Sequence, residues 1–182
     1  MGSTLRVLLV DDDAESARHL VRTLLEATAP QFEVERAQAF SATRQLTEDQ
    51  YDIALLNLAR CNPGGLAAVA LLQAQAPNLP ILVHAPAAQE NLALKAVQQG
   101  AADYLITEQI YPTVLVRSIR HAIERQLAAV RHRSAEQALR ESEARYRALF
   151  EQSRDAIVLM DRDRTITAAN RALTDLLGYS AT

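Results

Sequence analysis

The chain has 182 residues, of which 49% are hydrophobic and 23% charged, and its net charge is −3. That balance suits globular units with a sizeable core, and it supplies no overall positive field to attract nucleic acid or anionic lipid. The single cysteine, Cys61, excludes an internal disulfide and a multi-cysteine metal site. No run reaches the roughly 18 apolar residues of a membrane span, and residues 1–4 lack the basic start of a signal peptide. A soluble, cytoplasmic chain is expected.

Residues 5–10 (LRVLLV) read as a buried strand that runs into Asp11, Asp12 and Asp13. Ala17, Leu20, Val21, Leu24 and Leu25 then recur at helical spacing, with Asp13 placed to cap the helix and Pro30 past its end. Residues 32–35 alternate as a short edge strand, and a weakly amphipathic helix with Phe40 and Leu46 follows. Residues 53–58 (IALLNL) are almost continuously apolar, which marks a strand buried on both faces of a parallel sheet. Residues 62–65 (NPGG) make a turn, 66–76 an apolar helix and 80–84 a strand. A helix over 88–99 stops at Gly100, and 103–106 form the last strand of this series. Strand and helix alternate five times, which predicts a parallel sheet wrapped by helices on both faces.

From Thr113 to Gln152 there is neither Gly nor Pro, enough for about 60 Å of unbroken helix. Leu115, Ile119, Ala122 and Ile123 can pack on the sheet. Beyond Arg125 the apolar residues thin to Leu127, Val130, Ala138, Leu139, Tyr146 and Leu149, spaced like a coiled-coil seam with irregularities. A lone exposed helix is only marginally stable, so pairing into a parallel homodimer through this connector is expected. Residues 156–160 and 165–168 read as strands about a turn at 161–164, and a short helix through Leu173, Leu176 and Leu177 ends at Gly178. This last piece reads as a domain that stops after its first third.

In an open α/β sheet the C-terminal edge of the strands is where ligands bind. The first strand carries Asp11 and Asp12 to that edge and the central strand carries Asn57. Adjacent carboxylates suit a hard cation such as Mg²⁺, so a weak Mg²⁺ site at Asp11 and Asp12 is one expectation and a solvated turn with a helix cap the other. No other cofactor is expected. Asn57 is neutral and a poor nucleophile, where a carboxylate would be neither.

Residues 5–10 followed by Asp11 and Asp12, the run from Tyr51 and Asp52 to Asn57 with Gly65 and Leu66 eight and nine positions on, and Gly100–Leu105 together resemble a response-regulator receiver domain, over about residues 5–125. The resemblance implies a flavodoxin-like (βα)5 fold of strand order 2-1-3-4-5. It also implies an aspartate that accepts phosphate from a histidine kinase with help from Mg²⁺, a Ser/Thr and a Lys. Asp11 and Asp12 match the family's acidic pair and Tyr104 its switch aromatic. Asn57 stands at the phosphoacceptor position, Ala85 where the Ser/Thr hydroxyl belongs, and Thr107 with Glu108 where the family has Lys-Pro. Cys61 replaces a loop proline. These departures imply a degenerate receiver with no catalytic residue.

Tyr146–Glu151, Asp155–Asp161, Asn170–Ala172 and Leu177–Ser180 are similar to the start of a PAS domain. The expected organisation is a receiver-like domain over 1–125, a helical connector over 126–152 and a partial PAS segment over 153–182, as in a bacterial signalling protein with a fused output domain or protein partner. The expected function is a non-enzymatic two-component signalling module, a pseudo-receiver that acts by protein–protein interaction or dimerisation, without nucleic acid or membrane. The alternatives are a Mg²⁺-dependent phosphoryl-transfer enzyme, in which Asp11 and Asp13 loosely resemble the start of haloacid-dehalogenase phosphatases, an active phosphoacceptor using another residue, and a flavodoxin-like nucleotide binder. Ala85 and Thr107 argue against the first, and the acidic triplet would repel a nucleotide's phosphate. His19, His121 and His132 read as surface residues, His84 as a strand end that could hydrogen-bond within the site, and Cys61 as a thiol beside it.

Overall fold

The computed structural model describes residues 4–27, 29–38, 50–61 and 64–178. Compact packing divides the chain into Met1–Val130 and Arg131–Thr182. In the first unit the strands are β1 (Thr4–Val10), β2 (Gln31–Ala37), β3 (Ile53–Asn57), β4 (Ile81–Ala85) and β5 (Asp103–Ile106). They pair in parallel in the order β2-β1-β3-β4-β5. The helices are α1 (Ala14–Leu25), α2 (Gly65–Gln75), α3 (Glu90–Gln98) and the start of α4 (Pro112–Gln152). The helix expected around Phe40 and Leu46, and Asn62 and Pro63 of the turn, lie outside the described residues.

Alternation along the central strands builds two cores. Leu8, Val10, Leu56 and Val83 pack on one face with Val69 and Leu72 of α2. Val7, Leu9, Leu55 and Leu82 pack on the other with Leu20 of α1 and Ile119 of α4. Apolar residues at successive strand positions therefore have separate destinations, which is why β3 and β4 are buried at every position and apolar at all but Asn57 and His84. β2 lies at the edge and keeps only an alternating, half-buried pattern.

The local signals act as the sequence predicts, with some shifts. Asp13 caps α1 by accepting from the Glu15 and Ser16 N–H groups. Leu25, expected on the buried face of α1, is exposed because it is the last helical residue, beyond the sheet contact. α3 starts later than expected: a short 3₁₀ turn, Ala87–Gln89, precedes it, closed by Gln89 N–H to the Pro86 carbonyl. Gly100 adopts φ +107°, a conformation that disfavours a side chain. Gly65 is required for contact rather than for φ, since a Cβ there would come within 2.6 Å of the Leu58 backbone.

The second unit contains the antiparallel pair β6 (Val158–Met160) and β7 (Ile166–Ala169), followed by α5 (Arg171–Leu177), which ends at Gly178 with φ +71°. β6 begins two residues later than expected because Ile157 is claimed by Asn170: its N–H donates to Asn170 Oδ1 (2.8 Å) and its carbonyl accepts from the Asn170 N–H (3.0 Å). Asn170 is fully buried, and its Nδ2 also donates to the Phe150 and Asp155 carbonyls at 3.0 and 2.9 Å. One amide thus ties together the end of α4, the approach to β6 and the start of α5. No helix among the described residues is long and apolar enough to cross a membrane.

Candidate functional site

Four strands bring the site residues to one sheet edge. Asp11 directly follows β1, Asn57 ends β3, Ala85 ends β4, and Thr107 follows β5. Parallel pairing places all these C-terminal ends together and sets Asn57 beside His84 in register.

Asp11 is fully buried. Its Oδ1 accepts the Asp13 N–H at 2.9 Å and its Oδ2 accepts Asn57 Nδ2 at 3.1 Å. Its backbone carbonyl takes two bonds from the Arg36 guanidinium, at 3.2 and 3.0 Å. Asn57 is also buried; its Nδ2 lies 3.2 Å from Ser16 Oγ, and its Oδ1 accepts the Ala59 N–H at 3.0 Å. The two ends of this side chain have opposite tasks. The Ala59 N–H needs an acceptor and the Asp11 carboxylate needs a donor, and an amide supplies both.

His84 continues the polar chain toward β5. Its Nδ1 is 3.3 Å from Thr107 Oγ1, and its Nε2 is 3.9 Å from Asp11 Oδ2 with no hydrogen-bond partner among the described residues. Burial lowers its pKa to about 4, and the Asp11 charge opposes that only in part. His84 is therefore neutral near pH 7, so the Asp11 contact is not an ion pair. With the Thr107 hydroxyl donating to Nδ1, the ring carries its proton on Nε2 and presents it to the carboxylate. Asn57, Asp11, His84 and Thr107 thus form one polar array beneath the sheet edge.

The remaining candidates lie around it. Ala85 is fully buried and contributes only a methyl group. Tyr104 is half-buried, and its hydroxyl donates to Glu90 Oε1 at 2.9 Å, a bond that raises the phenol pKa. Glu108 Oε2 accepts the Ala87 N–H at 3.1 Å, binding the loop after β5 to the turn before α3. Asp12 is exposed, and Asp13 Oδ2 stands 3.9 Å from Arg60 Nε. Cys61 is half-buried, and burial, then Asp12 and Asp11, push its pKa to about 12, which disfavours the thiolate. His19, His121 and His132 are exposed on helices. Ser16, Glu90 and Glu108 carry no sequence signal for these contacts, whereas His84 has one, a polar residue within an otherwise apolar buried strand.

A Mg²⁺ ion held by Asp11 and Asp12 requires converging oxygens. At Asp11 both carboxylate oxygens are engaged by protein N–H groups, and the neighbouring Asn57 presents an amide donor where a cation needs an oxygen. Among the described residues no group of three or more His, Cys, Asp or Glu side chains could hold a metal ion. The residues present do not fit the cation.

The sequence model for the response regulator receiver domain matches residues 7–120, and a PAS domain model matches residues 144–182. The chain belongs to the response regulator receiver family. It is similar to the chemotaxis protein CheY of Listeria monocytogenes, 23% identical over 99 residues that cover 54% of this chain and 83% of that protein. It is also similar to the transcriptional regulatory protein ZraR of Salmonella typhimurium, 28% identical over 133 residues that cover 71% of this chain but only 28% of that one. Among solved structures, a two-component response regulator of the LuxR family from Aurantimonas sp. is 31% identical, with a TM-score of 0.56 over 67% of this chain and 86% of that one.

Proposed function

We propose that this chain is a pseudo-receiver, a cytoplasmic two-component signalling module that accepts no phosphate and acts without catalysis, through association with protein partners and a second copy of itself. The observation that carries this reading is the Asn57 amide, buried and donating to Asp11 at 3.1 Å. An amide at the family's acceptor position cannot form an acyl phosphate, and its orientation here leaves Asp11 engaged rather than free to hold a cation. Ala85 has no hydroxyl, and Thr107 has no positive charge to pair with a phosphoryl group; its hydroxyl is directed to His84 instead. The connector carries the signal onward as a continuous helix through Gln152 into the PAS segment.

Incubation with acetyl phosphate and Mg²⁺, followed by intact mass measurement, tests the reading. No mass gain is expected. A stoichiometric gain of one phosphoryl group, on any residue, overturns it.

A further inference from the structure

We propose that the connector pairs in parallel and in register with the connector of a second copy of this chain, along a seam that begins at His132. This rests on the association reading above and narrows it. Within the second unit His132, Ala135, Leu139, Ser142, Tyr146 and Leu149 follow one another at alternating steps of three and four residues, the spacing of facing positions in a two-stranded coiled coil. The large members of the row are open on this chain: Leu139 is 59% exposed, Tyr146 52% and Leu149 69%. Leu127 and Val130 do not belong to the row; extended backward, the same frame passes through Ala128 and Arg125. The small Ala135 and Ser142 alternate with the large side chains and let the two backbones approach.

The flanking charges choose the second copy and its direction. The flanks of the row are Arg131, Ala138 and Arg145 on one side and Glu136, Glu143 and Phe150 on the other. In a parallel pair each residue of the first set meets the residue five places further along the other chain. Arg131 then meets the partner's Glu136, twice by symmetry, and no like charges face each other. In the centred antiparallel arrangement Glu136 meets the partner's Glu143, also twice, and the charges repel. Glu136 already holds Arg140 on its own helix at 2.5 Å, and its carboxylate can take both cations.

The test uses the whole chain with Cys61→Ser, carrying His132→Cys or Leu149→Cys, with light scattering before mild oxidation. A parallel dimer doubles the mass, and each variant cross-links to itself. An antiparallel dimer cross-links only when the two variants are mixed, because equal positions then lie about 25 Å apart; that result overturns the inference and leaves association standing. A dimer with no cross-link in either case overturns the seam, and a monomer across the concentration series overturns association as well. Glu136→Arg is expected to lower the dimer fraction, and Arg131→Glu combined with it to restore that fraction. A double variant no more dimeric than Glu136→Arg overturns the assigned pair.

Discussion

His84 Nε2 faces Asp11 Oδ2 at 3.9 Å, and among the described residues no hydrogen-bond partner answers it. A buried donor left at that distance costs about 1–3 kcal/mol unless the carboxylate closes on it. A neutral imidazole beside a carboxylate avoids burying a second charge in the fold.

His84 should make the fold acid-sensitive. Its folded pKa of about 4 lies below the ordinary 6.5, so between those values the unfolded chain binds the extra proton and stability falls as the pH falls, levelling off below about 4. The loss assigned to this residue is roughly 3 kcal/mol. Denaturant melts from pH 7 to pH 4 should show a shallower decline in His84→Leu than in the unaltered chain. Parallel declines would exclude His84 as the source.

Asn57→Asp should destabilise the receiver, by about 1–3 kcal/mol in the absence of a divalent cation, because it removes the donor to Asp11 and sets a second carboxylate against the first. Added Mg²⁺ should recover part of that loss in the variant and leave the melting of the unaltered chain unmoved. Stabilisation of the unaltered chain by Mg²⁺ would mean that Asp11 and Asp12 hold the ion after all.

Tyr104 should ionise at lower pH once its acceptor is weakened. The Glu90 carboxylate accepts its hydroxyl proton and favours the neutral phenol. Ultraviolet titration of Glu90→Gln, with Tyr104→Phe to identify the signal, should show the shift. An unmoved titration would place the phenol away from Glu90 in solution.

Asn170→Ala should loosen the second unit alone. It leaves the Phe150 and Asp155 carbonyls and the Ile157 and Leu173 N–H groups without this partner, for a loss of about 2–4 kcal/mol. Hydrogen exchange should quicken at Ile157, in β7 and in α5 while β1 and β3 keep their protection. Unchanged exchange at Ile157 would sink the assignment.

Much of the architecture is legible in the sequence. Short buried apolar runs, helical spacing between them and a Gly- and Pro-free stretch after Pro112 are local signals that burial and backbone chemistry impose on each segment separately. The same holds for Asp13 as a cap and Gly178 as a stop. The motif blocks also placed Asp11, Asn57, Ala85 and Thr107 at the C-terminal ends of strands, because position along a parallel strand decides the edge.

What the sequence could not decide is which of these groups answer one another. Asp11, His84 and Thr107 come from three separate stretches of chain, and only strand order and register bring them into one array. The magnesium expectation shows the same limit: two adjacent carboxylates look equally available in sequence, while in the fold Asp11 is buried and bonded to Asn57 and to the Asp13 N–H. Asn170 is a further instance: it falls in a block that resembles a PAS start, but nothing local shows its hold on Phe150, twenty residues earlier. A side chain's type and spacing follow from the chain alone. Its partners follow from burial, which removes water and leaves each polar atom to bond with whatever the tertiary structure sets beside it.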